Sequence, residues 1–282
     1  MYHLFCLLLI INYGLFAQQS KIDSLNTLVV ISRSNPKVEQ SLELSAQYNY
    51  LNDEKADEYA KQEINLSKEL AYKEGEIQSC YVLGQLMYSK GEKNNAMFRY
   101  EKGIELAKVI SDQSLIALGY KLIGGYYEEE NNLHRALEYN NLALAIYTKL
   151  KNRQEMASCF TALGQIYKRF ANYDKALALD FKALQIQEAL QDNKGISLVF
   201  INIGNIYLLN GKLDKAEDYF LKSLKINLEN EDKEGVMISL MRLGVAKQKM
   251  GEFDKAVKYY KKALIVAREL NSKFIEAILL GN

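Results

Sequence analysis

Five pairs of an apolar residue followed by glycine recur at a fixed step of 40 residues: Leu83-Gly84, Ile123-Gly124, Leu163-Gly164, Ile203-Gly204 and Leu243-Gly244. A second series, Ala56, Ala96, Ala136, Ala176, Ala216 and Ala256, keeps the same step without insertion or deletion. Two series sharing one period of this length indicate an array in which a single supersecondary unit is copied and stacked. Such an array buries its core between neighbouring copies and presents an extended surface.

The register within one period shows what the unit contains. With unit starts at Ile77, Ala117, Ala157, Ser197 and Met237, the fourth place holds Cys80, Tyr120, Phe160, Phe200 and Leu240. The seventh is always Leu or Ile, and the eleventh is Met87, Tyr127, Tyr167, Tyr207 and then Lys247. Apolar offsets of three, four and seven line one face of an α-helix. Gly91, Asn131, Gly211 and Gly251 follow, residues suited to the left-handed conformation that ends a helix. In the unit carrying Ala171, Asn172 is expected to take that role. A second helix is expected to open on Asn94, Asp174, Asp214 or Asp254 as N-cap. It carries the alanine series, then Tyr139, Leu179, Tyr219 or Tyr259, then the mostly small Gly103, Ala143, Ala183, Ser223 and Ala263. Small residues on facing helices predict close backbone approach at Gly84, Ala96 and their equivalents.

The run Phe200 to Ala216, continuing to Tyr219, Phe220 and Ser223, resembles a tetratricopeptide repeat. The likeness lies in the large fourth residue, Leu/Ile-Gly at seven and eight, Tyr at eleven, Ala at twenty and a small residue at twenty-seven. The 40-residue step is similar to the long-repeat members of that family, and the proline common near the repeat end is missing, Pro36 being the only one. The resemblance implies an all-α, right-handed solenoid of about six helix–turn–helix repeats: 37–76, 77–116, 117–156, 157–196, 197–236 and 237–276. The first is degenerate, with Leu44 and Glu63 at small places, while Tyr48, Ala56 and Tyr59 keep the frame.

Residues 4–16 are almost all apolar and Ala17 follows, so 1–17 reads as a signal peptide, too short for a membrane span of about 20 residues. The alternative is an uncleaved anchor. Ile22, Leu25, Leu28 and Val29 predict a capping helix within 18–36, and 277–282 reads as the start of an incomplete seventh repeat. The expected location is exported, periplasmic or associated with the cell envelope.

With 36 basic and 35 acidic side chains, bulk charge gives no reason to expect nucleic acid. Beyond the first 17 residues, Cys80, Cys159 and His134 form no ligand cluster, so no metal, cofactor or catalytic site is expected. The two cysteines read as packing residues. Glu128-Glu129-Glu130 reads as a solvated face, with Lys168 and Arg169 as its partners in an ion-pair network.

The resemblance implies that places 2, 5, 9, 12 and 13 of each first helix line a groove. The candidate partner-binding residues are Tyr81, Gln85 and Tyr88 early in the chain, Gln165 in the middle, and an aliphatic end of Leu198, Ile201, Leu208, Ile238, Met241 and Val245. Asn202 and Asn205, three apart on one helix, could hydrogen-bond an extended peptide backbone or instead contact neighbouring helices. The family's carboxylate clamp lacks support, since Lys121 is followed by Gly125 where asparagine is needed. The expected function is an exported, non-catalytic scaffold that binds a protein or peptide. The alternative is the extracytoplasmic input region of a signalling protein, a histidine kinase or transcriptional regulator, with a membrane-anchored signalling domain following this chain.

Overall fold

A computed structural model describes residues 65, 67, 69, 71–270 and 272–281. The expected signal peptide, capping helix and nearly all of the first repeat, including Tyr48, Ala56 and Tyr59, lie outside the described residues. Among the described residues the secondary structure is helical throughout. The helices are α1 (Lys73–Ser89), α2 (Lys93–Val109), α3 (Gln113–Glu129), α4 (Leu133–Lys149), α5 (Arg153–Arg169) and α6 (Tyr173–Leu190). They continue as α7 (Asn193–Leu209), α8 (Leu213–Glu229), α9 (Lys233–Lys249), α10 (Phe253–Glu269) and α11 (Lys273–Gly281). Consecutive helices pair as hairpins, the arrangement of a helical-repeat solenoid. The hairpins fall into two compact units divided after Leu150, α1–α4 and α5–α11.

Local chemistry sets the helix ends. Gly91, Asn131, Gly211 and Gly251 have φ of 80°, 58°, 72° and 78°, the left-handed stop that the sequence pattern implies. Ala171 departs from the expectation: it adopts φ 55° itself, and Asn172 instead caps α6 by accepting from the Lys175 amide. The expected caps Asn94, Asp174, Asp214 and Asp254 lie one residue inside their helices; the cap positions are Glu92, Asn172, Lys212 and Glu252. The sequence reading overlooked capping of the first helices. Asp112, Asn152, Asp192 and Asp232 each accept from the amide three residues on.

Within each hairpin the glycine of the Leu/Ile-Gly pair receives a side chain from the second helix. Tyr100 lies on Gly84, Asn140 on Gly124, Asp180 on Gly164, Phe220 on Gly204 and Tyr260 on Gly244. A methyl at any of the five glycines would come within 2.3 to 2.9 Å of these groups. The residue that fills the gap therefore sits one position beyond the Tyr139, Leu179, Tyr219 and Tyr259 series named above. Ala96, Ala136, Ala176, Ala216 and Ala256 of the alanine series are buried, and so are Gly103, Ala143, Ala183, Ser223 and Ala263.

Each unit has its own core. In α1–α4 it centres on Ile77, Tyr81, Leu115 and Ile123. In α5–α11 one cluster gathers Val199, Ile203, Phe220 and Leu243, and another Leu240, Tyr260 and Leu279. Cys80 and Cys159 are buried free thiols. Three hairpins also seat a cation on the tyrosine at place eleven: Arg135 on Tyr127 at 5.2 Å, Lys175 on Tyr167 at 5.2 Å and Lys215 on Tyr207 at 5.5 Å. Where Lys247 replaces the tyrosine, its ammonium is buried instead against Glu217 at 2.6 Å and Glu252 at 3.2 Å.

Candidate functional site

The first helices of the hairpins carry the candidate residues, and burial sorts them into two kinds. In the α5–α11 unit, Leu198 is 57% exposed and Ile238 is 43% exposed, so α7 and α9 each offer a large apolar side chain to solvent. Met241 and Val245 are half-buried, packed on the core of the last hairpins. Ile201 and Leu208 correct the sequence reading, because both are buried within the core around Val199 and Ile203. They sit at groove places by helical register, yet neighbouring helices of the stack cover them.

Asn202 is also buried, and its side-chain oxygen accepts from Gln165 Nε2 at 2.7 Å. Lys168 in turn donates to the Gln165 carbonyl oxygen, so the three form a chain from α5 to α7. Asn202 thus contacts a neighbouring helix, the second of the two readings left open, whereas Asn205 is half-buried. A hollow of about 340 Å³ lies between α5 and α7, lined by Ser158, Thr161, Gln187 and Leu198 with Lys194 and Asp192 at its margin. Gln154 donates to Asp192 at 3.2 Å along that margin.

In the α1–α4 unit, Tyr81 is a structural residue. It is buried, its ring lies against Gly103 and its hydroxyl donates to the Leu115 carbonyl at 2.8 Å. Gln85 is exposed and Tyr88 half-buried. They line a second hollow, of about 250 Å³, with Tyr100, Lys121, Leu122, Gly125, Tyr126 and Glu129. The Tyr88 ring packs edge-to-face on Tyr126 at 5.3 Å between centroids, and its hydroxyl donates to Glu130 at 3.1 Å. Glu130 also receives Lys93 at 2.8 Å. Burial, then the hydrogen bond to Glu130, then the charges of Glu130 and Glu129 push the Tyr88 hydroxyl up to about 12. Tyr88 therefore stays neutral at physiological pH and serves as a donor. Sequence reasoning placed Lys121, Gly125 and Glu129 at groove places and read Gly125 as a missing clamp residue, but did not find this hollow.

Among the described residues no group of three His, Cys, Asp or Glu side chains could hold a metal ion. No described helix is long and apolar enough to cross a membrane.

Helix hairpins in register, each with a side chain of the second helix seated on a glycine of the first, define a helical-repeat protein. Tetratricopeptide repeat models match residues 77–109, 158–194 and 195–269, together just over half of the sequence, and the chain belongs to the tetratricopeptide repeat family. No curated protein matches the sequence significantly. Among solved structures it is similar to BtubC (BKLC) from P. vanneervenii, at 19% identity and TM-score 0.65, over 83% of this chain and 92% of the other. The apo form of RapI is similar at 17% identity and TM-score 0.66, over 92% and 94%. So is the Rap conjugation gene regulator of the plasmid pLS20 in complex with a Phr peptide, at 17% identity and TM-score 0.63, over 92% and 76%. At these identities the likeness is one of fold.

Proposed function

We propose that this protein is an exported, non-catalytic scaffold that binds a peptide or protein partner along the first-helix face of its hairpins. The observation that carries the reading is the exposure of Leu198 and Ile238 on α7 and α9, which share one core and one unit. Apolar side chains of this size left in solvent on neighbouring helices support a surface that a partner covers. The peptide held by the Rap regulator of similar fold supports the same use of the fold. Leu198→Asp combined with Ile238→Asp should abolish partner capture while leaving helicity unchanged, since neither side chain is part of the core. Wild-type capture by the double variant would refute the reading at this end of the chain.

Export rests on the apolar run at residues 4–16 ahead of Ala17. Mass spectrometry of the protein from its native host should find a chain starting at Gln18; an intact Met1 in a cytosolic fraction would rule this out.

A further inference from the structure

Gly125 is a glycine that the fold does not use. It lies inside α3, and a methyl built on it would meet nothing within 4 Å, whereas one on the adjacent Gly124 would strike Asn140 at 2.4 Å. Its φ is that of an ordinary helical residue, so the backbone does not require glycine there either. Glycine in a helix interior lowers helix stability, and neither packing nor conformation explains its presence here. Its effect is to open the floor of the hollow beside Tyr88 and Tyr126. At about 250 Å³ that hollow suits one inserted side chain better than a whole small-molecule ligand, whose pockets usually start at about 300 Å³.

The electrostatics select the kind of side chain. Glu129 is exposed on the rim and makes no ion pair among the described residues. The cations nearby are engaged: Lys93 holds Glu130, and Lys121 has an interaction of its own. Elsewhere this chain repeatedly sets a cation over a tyrosine ring, at Tyr127, Tyr167 and Tyr207, yet among the described residues none stands over Tyr88 or Tyr126. We propose that the hollow over Gly125 receives a lysine or arginine side chain of a peptide partner, with the Tyr88 and Tyr126 rings as its walls and Glu129 as its counter-charge. The proposal rests on the scaffold reading and adds the chemistry of one subsite to it.

The test is an amide NMR titration of the full-length, isotope-labelled protein with two fragments, N-acetyl-arginine methylamide and its neutral isostere N-acetyl-citrulline methylamide. The arginine fragment should shift the Gly125 and Tyr126 amide signals, and the citrulline fragment should bind about fivefold more weakly, the scale of one exposed cation–π or ion-pair contact. Gly125→Leu should lose the response with its thermal midpoint retained or raised, because the added side chain enters open space and leucine favours the helix more than glycine does. Glu129→Gln, which leaves the hollow's shape intact, should weaken the arginine fragment about fivefold. Unmoved Gly125 signals, equal binding of the two fragments, or wild-type responses in both variants would each overturn the proposal. A peptide that binds elsewhere on the first-helix face and leaves Gly125 unmoved would overturn it too, while the scaffold reading would stand.

Discussion

Asp180 shows how much one substitution within a repeated frame can change. It occupies the place held by Tyr100, Phe220 and Tyr260 in other hairpins, it is only 1% exposed, and its Oδ1 has no hydrogen-bond partner. Burial raises its carboxyl from 3.8 to about 7, partly offset by the charge of Lys168. The native state therefore holds this proton more tightly than the unfolded chain does. The stabilising contribution is complete below about 4 and fades as pH rises toward 7, and the shift corresponds to about 4 kcal/mol as an upper scale. Asn140, at the equivalent place, shows the neutral solution: its Nδ2 donates to the Ala136 carbonyl at 2.9 Å. Asp180→Asn should thus be more stable than wild type at pH 8, by a margin that shrinks toward pH 5, in urea denaturation at both pH values. Equal stability of the two proteins at pH 8 would contradict the assignment. None of this was legible in the sequence, because the pattern drew attention to Leu179, one position early.

At the scale of helices and turns, the sequence carried more. The glycine and asparagine stops are visible in it because left-handed residues have a strong composition signature. Ala171, Lys151, Gln191 and Glu231 adopt the same conformation without that signature, at φ of 55–56°. There the flanking hairpin imposes a conformation that costs an L-residue about 1 kcal/mol or more. Ala171→Gly should raise the urea midpoint with the slope unchanged, by about 1 kcal/mol of stability, and Gly211→Ala should lower it by a similar amount. Gly211 has nothing within 4 Å of an added methyl, so a loss there would be purely conformational. The first-helix caps escaped notice for a different reason. Asp112, Asn152, Asp192 and Asp232 lie at the joints between repeats, whereas the motif is anchored in the middle of each. Asp192→Ala, which removes the acceptor for the Gly195 amide at 3.0 Å, should cost about 1 kcal/mol in the same denaturation assay.

For the molecule as a whole, the period was enough to infer a stacked array, since every repeat must bury the same face against its neighbours, and the residues at fixed places within it carried the family. The exposed first-helix face was only half legible. Register correctly put Leu198 and Ile238 on the exposed side of their helices, but the same rule put Ile201, Leu208 and Tyr81 there, and these are buried. Helical register fixes the direction of a side chain, not how far the adjacent helix reaches over it. The most direct test of the account places a photo-crosslinking amino acid singly at Leu198 and Ile238, and at the exposed Leu221 and Leu228 of α8 as controls. In the native host, a discrete adduct with one partner is expected from Leu198 and Ile238 and not from Leu221 or Leu228. Adducts formed equally from both sets, or only from α8, would contradict the claim that the first-helix face is where this protein meets its partner.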